Sequence, residues 1–355
     1  MVIHMLYAKV KKADAERLKR LLVRMSLLDN QSQTEHSSSY VYFPVLNEDG
    51  KIKKLIDGQG AVLVVRRASS HTRKTASFAS MAARLRKNGL LKASGGYDVI
   101  GDIAIIDVDG KAERDRLARA LIAENSHIKV VLAKRGPVSG KYRVRKLVYV
   151  LGEKRYTTTH HENGCSFFMD VRKTFFSPRL AYERSRIVSL VRPKDKVIVM
   201  FAGAGPFVVE IAKLHRDSHV VGIELNPDSF AYMAYNIKAN KLNNAEALLG
   251  DAGRVLSKYK GYADRILMPL PMDSMQFMPS AIKMAKKRAT IHLYTFCSSK
   301  DAGAEVEKRL GEIAREHSVT ISKINKRVVR PYSAKESEMV FDIMLKKRSG
   351  IRHRL

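Results

Sequence analysis

Tryptophan is absent from these 355 residues, and cysteine occurs only twice, as Cys165 and Cys297, far apart and without a C-x-x-C spacing. Two isolated thiols argue against a disulfide framework or a zinc ribbon and fit a reducing compartment, the cytoplasm by default. No stretch reaches the roughly 18 consecutive apolar residues of a membrane-spanning helix, and the opening MVIHMLYAKVKK does not read as a signal peptide, so no membrane partner is expected. Acids are scarce too. The 35 Asp plus Glu face 65 Lys plus Arg, a net charge of +30, which is the electrostatic footprint of a polyanion-binding surface. What is present in quantity is apolar: 45% of the residues, enough for real cores, in a chain long enough for two or three domains.

Residues 1–66 read as a small α/β unit. LYAKV makes a short strand, DAERLKRLLVRMSLL carries Leu18, Leu21, Leu22 and Met25 at helical spacing, and SYVYFPV and AVLVVRR add strands around the polar turn LNEDGK. Residues 67–96 are rich in Arg, Lys, Ser and Ala and close on Gly95-Gly96, the composition of a basic connector. A middle segment, 97–160, opens with the strand pair YDVIGDIAIIDVDG, continues through the helix AERDRLARALIAEN, and adds strands at IKVVLAKRG and KYRVRKLVYVLG. In the last of these, KYRVRK alternates basic residues with Tyr142 and Val144, as would either a strand facing RNA phosphate or a solvated edge guarded by lysines. From about 160 onwards apolar runs at 196–200, 219–224, 245–249, 263–268 and 290–296 alternate with helical segments, which predicts a mostly parallel, doubly wound sheet. One of those helices, PDSFAYMAYNIKANK, would place Phe230, Met233, Ala234, Ile237 and Leu242 on one face.

The first turn of that pattern is FAGAGPF, 201–207, directly after the strand KVIVM. Gly203 and Gly205 allow close approach of backbone to a ligand. Glu224 ends the second strand about 20 residues on, where a carboxylate can accept both hydroxyls of a ribose. A dinucleotide needs G-x-G-x-x-G so that a helix N-terminus can receive its pyrophosphate, and Pro206 and Phe207 close that path. S-adenosylmethionine carries the same ribose without a phosphate. Asp251 ends the third strand, placed to accept the adenine amino group, and the whole spacing favours S-adenosylmethionine over NAD. Its sulfonium supplies an activated methyl, so no metal is expected.

DVRKTFFSPRLAYERSRI, followed by MFAGAGPF, IELNP, NIKANKL and GDA, resembles the archaeal and eukaryotic tRNA (guanine-37-N1)-methyltransferases, as do YDVIGDIAII and HHENG. The resemblance implies an α/β chain of three domains. These are a class I (Rossmann-like) methyltransferase domain at 161–355, a middle α+β domain at 97–160, and a small N-terminal tRNA-binding domain at 1–66, with 67–96 as linker. It implies binding of tRNA, through its anticodon loop and body, and methylation of N1 of guanosine 37; the chain is expected to act as a monomer. Carried over position by position, Glu183 would be the general base, and Arg143 or Arg145 would lie near the target base. Arg184, Phe201, Gly203, Gly205, Glu224, Leu225, Asp251 and Ala252 would hold the cofactor; Phe175, Arg179, Asn226, Pro269 and Pro271 would lie at the substrate. The chemistry agrees: N1 of guanine is a poor nucleophile until a carboxylate takes its proton, and an arginine can stabilise the charge that develops on the ring.

Two positions depart from the family. It shows an acid where Met200 stands, and an Asn that helps to hold the guanine where Pro269 stands; here only the backbone carbonyls of Met268 to Leu270 would remain available. Pro269 raises a second acceptor, the tricyclic 4-demethylwyosine at the same tRNA position, in addition or instead. A third reading is a catalytically degenerate RNA-binding module.

Overall fold

Strands covered on both faces read as continuous apolar runs, and the runs at 196–200, 219–224 and 263–268 become such strands because helices cover the sheet from either side. The computed structural model describes residues 4–24, 27, 34–45, 56–67, 87, 89, 96–136, 140–254, 256–298, 301, 303–333 and 335–347. They fall into two units, 1–96 and 97–355. In the first, β1 (His4–Lys11) pairs antiparallel with β3 (Tyr40–Pro44) and β4 (Val62–Arg67), and β2 (Glu35–His36) extends β3. Helix α1 (Ala15–Arg24) buries Leu18 and Leu22 against Ala8, Val10, Val41 and Phe43, with Leu21 half-buried. Met25 and most of 67–96 lie outside the described residues.

The second unit begins with a four-stranded sheet of β5 (Gly96–Ile100), β6 (Ile103–Asp107), β7 (Val130–Lys134) and β8 (Leu147–Gly152), in that order. Helix α2 (Lys111–Glu124) crosses over between the parallel β6 and β7 and buries Leu117 and Leu121. The strand expected from Lys141 starts only at Leu147. Residues 140–143 form a turn, with Arg143 at φ 49°. The side chain of Arg145, expected on an exposed strand, is 11% exposed and lies 3.4 Å from the Asp98 carboxylate. A hairpin that the sequence reading did not anticipate follows, β9 (Thr157–Glu162) and β10 (Cys165–Asp170), turning through Asn163 and Gly164, both at positive φ. Asparagine–glycine is a preferred pair for such a two-residue turn.

A seven-stranded sheet completes the unit: β11 (Lys196–Met200), β12 (His219–Glu224), β13 (Ala245–Leu249), β14 (Ala263–Met268), β15 (Ala285–Ser298), β16 (Val319–Pro331) and β17 (Glu336–Lys347), in the order β13-β12-β11-β14-β15-β17-β16. The first five are parallel, as expected, and β17 runs antiparallel between β15 and β16. Helices α3 (Ala181–Leu190), α4 (Pro206–Leu214) and α5 (Pro227–Ala239) pack into the core on one face, α6 (Met278–Met284) and α7 (Ala304–Glu316) into that on the other. Strand β11 feeds both cores by alternation, Val197 and Val199 to one, Ile198 and Met200 to the other. On α5, Ala234 is exposed rather than on the buried stripe. Asn236 takes that place, its amide donating to the carbonyls of Phe168 and Ala204. The strand order reverses between β11 and β14, the switch point at whose carboxyl edge open α/β sheets bind ligands.

Candidate active site

The loop from β11 to α4 carries Phe201 at φ 57°, Gly203 at 57° and Gly205 at 84°. At Gly205 the left-handed backbone coincides with tight packing, since an added Cβ would stand 2.7 Å from Cγ of Met233. Pro206 is the first residue of α4, so one N–H that could have faced a phosphate is missing. The loop is tied to the end of β12 by a single carboxylate. Oε2 of Glu224 accepts the Gly203 N–H at 2.7 Å, and Oε1 accepts the Asn226 N–H at 2.8 Å. Burial raises the Glu224 carboxyl above its ordinary value, against the pull of the backbone amides of Asn226, Gly203 and Leu225. At the end of β13, Oδ1 of Asp251 accepts the Gly253 N–H at 2.7 Å.

Phe201, Gly203, Pro206, Glu224 and Asp251 line one cavity of about 380 Å³, while Gly205, expected at the cofactor, is not part of its lining; the volume is within the roughly 300–1,000 Å³ usual for small-ligand sites. Phe201, Gly203, Glu224, Leu225, Asp251 and Ala252 form its β11–β13 side. Each Glu224 oxygen spends one lone pair on a backbone amide and keeps another for a hydroxyl. That is the donor–acceptor match of a ribose, and the residues fit S-adenosylmethionine.

The lining also includes Arg143, the segment Pro269–Asp273 after β14, and Phe175, whose carbonyl lies close to Gly203. Arg143 forms an ion pair with Asp273. The carbonyls of Met268 and Leu270, expected to be available to substrate, are already occupied: Met268 O accepts the Leu270 N–H, and Leu270 O accepts those of Asp273 and Ser274. The Ser274 hydroxyl lies 2.8 Å from both carbonyls. Met200, the other departure, is fully buried in the α6–α7 core and is not part of the cavity wall.

Several expected site residues stand behind this wall rather than on it. Arg184 reaches the cavity but is locked from behind. It donates to both oxygens of Glu162 at 2.5 and 2.7 Å and to the Ser177 carbonyl at 3.1 Å, and it lies 3.3 Å from Glu210. Burial works against a charge on Glu162, but hydrogen bonds from His160 and Arg184 outweigh it and hold the carboxyl at about 2. The HHENG segment is thus the anchor of Arg184, with Asn163 donating to Glu210 at 2.9 Å. Arg145 and Arg179 both turn to Asp98, and the Arg145 guanidinium sits 5.3 Å from the Phe175 ring, outside the cavity lining. Asn226 is the N-cap of α5, accepting the Asp228 N–H and donating to the Lys173 carbonyl.

Glu183, expected as the base, is 2% exposed and is not part of the lining. Arg186 donates to both its oxygens at 2.9 and 2.7 Å, and the Tyr294 hydroxyl donates at 2.7 Å. The register explains its depth. Alternate residues share a face, so Phe296, Tyr294 and His292 on β15 descend from the carboxyl edge beside Glu338, Val340 and Asp342 on β17. Glu183 bonds to the second row, whereas the cavity meets the first, one pleat repeat or about 6–7 Å higher.

That first row is Phe296, Glu338 and Arg330, directly opposite one another across β15, β17 and β16, and all three line the cavity with Tyr332. Sequence reasoning missed them. The alternating runs ISKINKRVVR and EMVFDIMLKK around the polar PYSAKES are a hairpin signal that could have brought Arg330 and Glu338 together.

A seven-stranded sheet in this order, with a glycine loop, a ribose-type acid at β12 and an acid at β13, defines a class I, S-adenosylmethionine-dependent methyltransferase. The sequence carries the TRM5/TYW2 methyltransferase domain at 158–322, a TYW2 N-terminal domain at 79–155 and a tRNA methyltransferase 5 N-terminal domain at 9–53. The tRNA (guanine(37)-N(1))-methyltransferase Trm5b of Pyrococcus abyssi is 32% identical over 339 residues, covering 95% of this chain and 98% of that one. Its crystal structure superposes with a TM-score of 0.66 over 96% of this chain and 99% of that chain. The chain belongs to the TRM5/TYW2 methyltransferase family. The tRNA 4-demethylwyosine(37)-methyltransferase Taw21 of Saccharolobus solfataricus is 35% identical over 218 residues, 61% of this chain and 79% of that one. Methanocaldococcus jannaschii Trm5, solved with adenosine, is 27% identical and superposes with a TM-score of 0.61, over 97% of this chain and 100% of that chain. Among the described residues no helix is long and apolar enough to cross a membrane, and no cluster of His, Cys, Asp and Glu could hold a metal.

Proposed function

We propose that this chain methylates N1 of guanosine 37 in tRNA. One observation carries the reading. A single cavity joins the Glu224–Asp251 side to a wall bearing Arg143 and Arg330, in a chain that aligns over nearly its full length with a guanosine-37 methyltransferase. S-adenosylmethionine, when bound, supplies an activated methyl group. Glu224 holds the ribose hydroxyls with its free lone pairs, and its two backbone amides keep the carboxylate from turning away. Asp251 accepts the adenine amino group, and Phe201, edge-on to Phe277 at 4.8 Å, bounds the pocket beside it. The target base, extruded from its stack at a cost of about a few kcal/mol, enters between Phe175 and Pro269–Pro271. Arg143 faces the charge that develops on the ring as N1 loses its proton. Glu183 keeps the role of base only if RNA frees it from Arg186 and Tyr294. The basic surface and residues 1–66 are assigned to docking the tRNA body, by a monomer working in the cytoplasm.

A second reading has its own observation. Pro269 stands where the common pattern of the resembled family has Asn, and Taw21, which is named for the wyosine intermediate, is 35% identical over 61% of this chain. Incubation with tRNA bearing either guanosine or 4-demethylwyosine at position 37, followed by nucleoside mass spectrometry, separates the two. Methyl on N1 of guanosine upholds the first, methyl only on the tricyclic base upholds the second, and none on either overturns both.

A further inference from the structure

We propose that Asp342 is a positioning residue for the base: it retains Arg186 when Glu183 leaves that guanidinium to take the N1 proton of the target guanine. This rests on the guanosine reading above, with Glu183 as its base.

Arg186 is shared by two carboxylates. It donates to the oxygens of Glu183 at 2.9 and 2.7 Å and to those of Asp342 at 2.7 and 3.3 Å. The two acids lie at different depths. Glu183 bonds to Tyr294 in the second row below the carboxyl edge, whereas Asp342 stands opposite His292 in the third, a further pleat repeat of about 6–7 Å from the cavity. Release of Glu183 towards the cavity is therefore a movement away from Asp342.

Asp342 is fixed in its place. Arg265 can only donate, so Nε2 of His292, which it meets at 2.6 Å, must accept, and the ring proton is on Nδ1, 2.6 Å from Oδ1 of Asp342. Arg265 is anchored in turn by the Leu190 carbonyl at 2.5 Å and by Asp195 at 3.4 Å. Burial lowers the His292 imidazole below its ordinary value and keeps it neutral. Burial also works against a charge on Asp342, but His292 and Arg186 outweigh it and hold the carboxyl well below the ordinary carboxylate range.

A buried guanidinium left without a partner is far costlier than one that keeps a second carboxylate. With Asp342 in place, the departure of Glu183 leaves a neutral Arg186–Asp342 pair behind. Without it, Arg186 would depend on Glu183 alone and hold it back. The other groups facing Glu183 are the Tyr294 hydroxyl on β15, at 2.7 Å, and the partly exposed Arg327 on β16, at 4.0 Å. On α4, Glu210 faces Arg184 instead.

The test measures single-turnover methylation of tRNA carrying guanosine 37 across pH, at saturating cofactor and tRNA, for wild type, Asp342→Asn, Arg186→Gln and the double variant. Asparagine still accepts from His292, so the substitution removes the charge and keeps that hydrogen bond. Asp342→Asn is expected to slow methyl transfer roughly tenfold or more, with the acid limb of its rate profile about one pH unit lower, because the undivided guanidinium now favours the Glu183 carboxylate. Dissociation constants for cofactor and tRNA stay within about twofold, as Asp342 touches neither. In the Arg186→Gln background the same substitution changes the rate by less than about twofold, since Asp342 acts through Arg186. A wild-type rate, a wild-type pH profile, or an equal loss in both backgrounds overturns the proposal. Should Asp342→Asn fail to fold, the two Arg186→Gln proteins decide: a difference under about twofold retains the proposal, and a loss of about tenfold overturns it. Wild-type protein that leaves guanosine 37 unmethylated would defeat the guanosine reading and the proposal with it, whereas equal losses with methylation intact defeat the proposal alone.

Discussion

Replacing Glu224 by alanine tests the cofactor site at the atom on which it turns. The carboxylate is fixed by the Gly203 and Asn226 amides at 2.7 and 2.8 Å, which leaves one acceptor position per oxygen for the ribose. Two hydrogen bonds to a charged acceptor are worth about 1.5–3 kcal/mol each, hence about 3–6 kcal/mol together. At about 1.4 kcal/mol per tenfold, that weakens S-adenosylmethionine by roughly 10²–10⁴-fold. Glu224→Gln keeps the shape, but its amide group cannot accept, so one backbone N–H and one ribose hydroxyl lose their partner and the loss is smaller. Isothermal titration of folded protein, checked by circular dichroism, gives the dissociation constants. A constant for the alanine variant within about twofold of wild type would put the ribose elsewhere. The same carboxyl predicts a pH dependence. Its value is raised by burial, so cofactor affinity is full above that raised value and falls as pH drops through it, starting above the ordinary carboxylate range. Without cofactor the sign reverses. The folded state then holds the proton more tightly than the unfolded chain, so Glu224's contribution to stability declines as pH rises through the raised value.

Other perturbations have equally definite outcomes. Gly205→Ala forces an L side chain to φ 84° and brings its Cβ against buried Met233; left-handed backbone costs about 1–2 kcal/mol and overpacking about 1–3 kcal/mol, so a urea midpoint equal to wild type would refute the packing. Glu183→Gln removes one partner from a buried ion-pair network, a loss of about 3–5 kcal/mol, toward the lower end because Asp342 still holds Arg186. Turnover of the folded variant at saturating cofactor is expected to fall about 10²-fold, and wild-type turnover would remove Glu183 as the base. Affinity for tRNA should fall steeply with salt as phosphate contacts release counterions; a flat dependence in a filter-binding titration would remove the basic surface as the docking face.

The donor half of the site was legible in the sequence, and most of the acceptor half was not, for a physical reason. Gly203, Glu224 and Asp251 each sit at or just past the end of a parallel strand; β11 and β12 announce themselves as apolar runs because both faces are buried, and the edge strand β13 as a shorter, half-buried one. Position along the chain therefore gives position at the carboxyl edge. The acceptor side depends on partners that are remote in sequence. Arg145 looked like one tooth of a basic strand, and Asp98 draws it inward. Glu183 was expected as the base at the target, and Tyr294, 111 residues away, helps to hold it below the cavity floor. Arg330 and Glu338 are only eight residues apart, but they meet at the cavity only because β16 and β17 fold back beside β15, and that hairpin was not read. The turn at Asn163-Gly164 was readable by the same rule, and it delivers Glu162 to Arg184.

Mass spectrometry of nucleosides from unmodified tRNA carrying guanosine 37, after incubation with the protein and methyl-labelled S-adenosylmethionine, tests the central claim most directly. The label should appear as 1-methylguanosine at position 37 and be lost in Glu224→Ala at a cofactor concentration that saturates wild type. Label on another atom or nucleoside, or no label while the tRNA still binds, would contradict it.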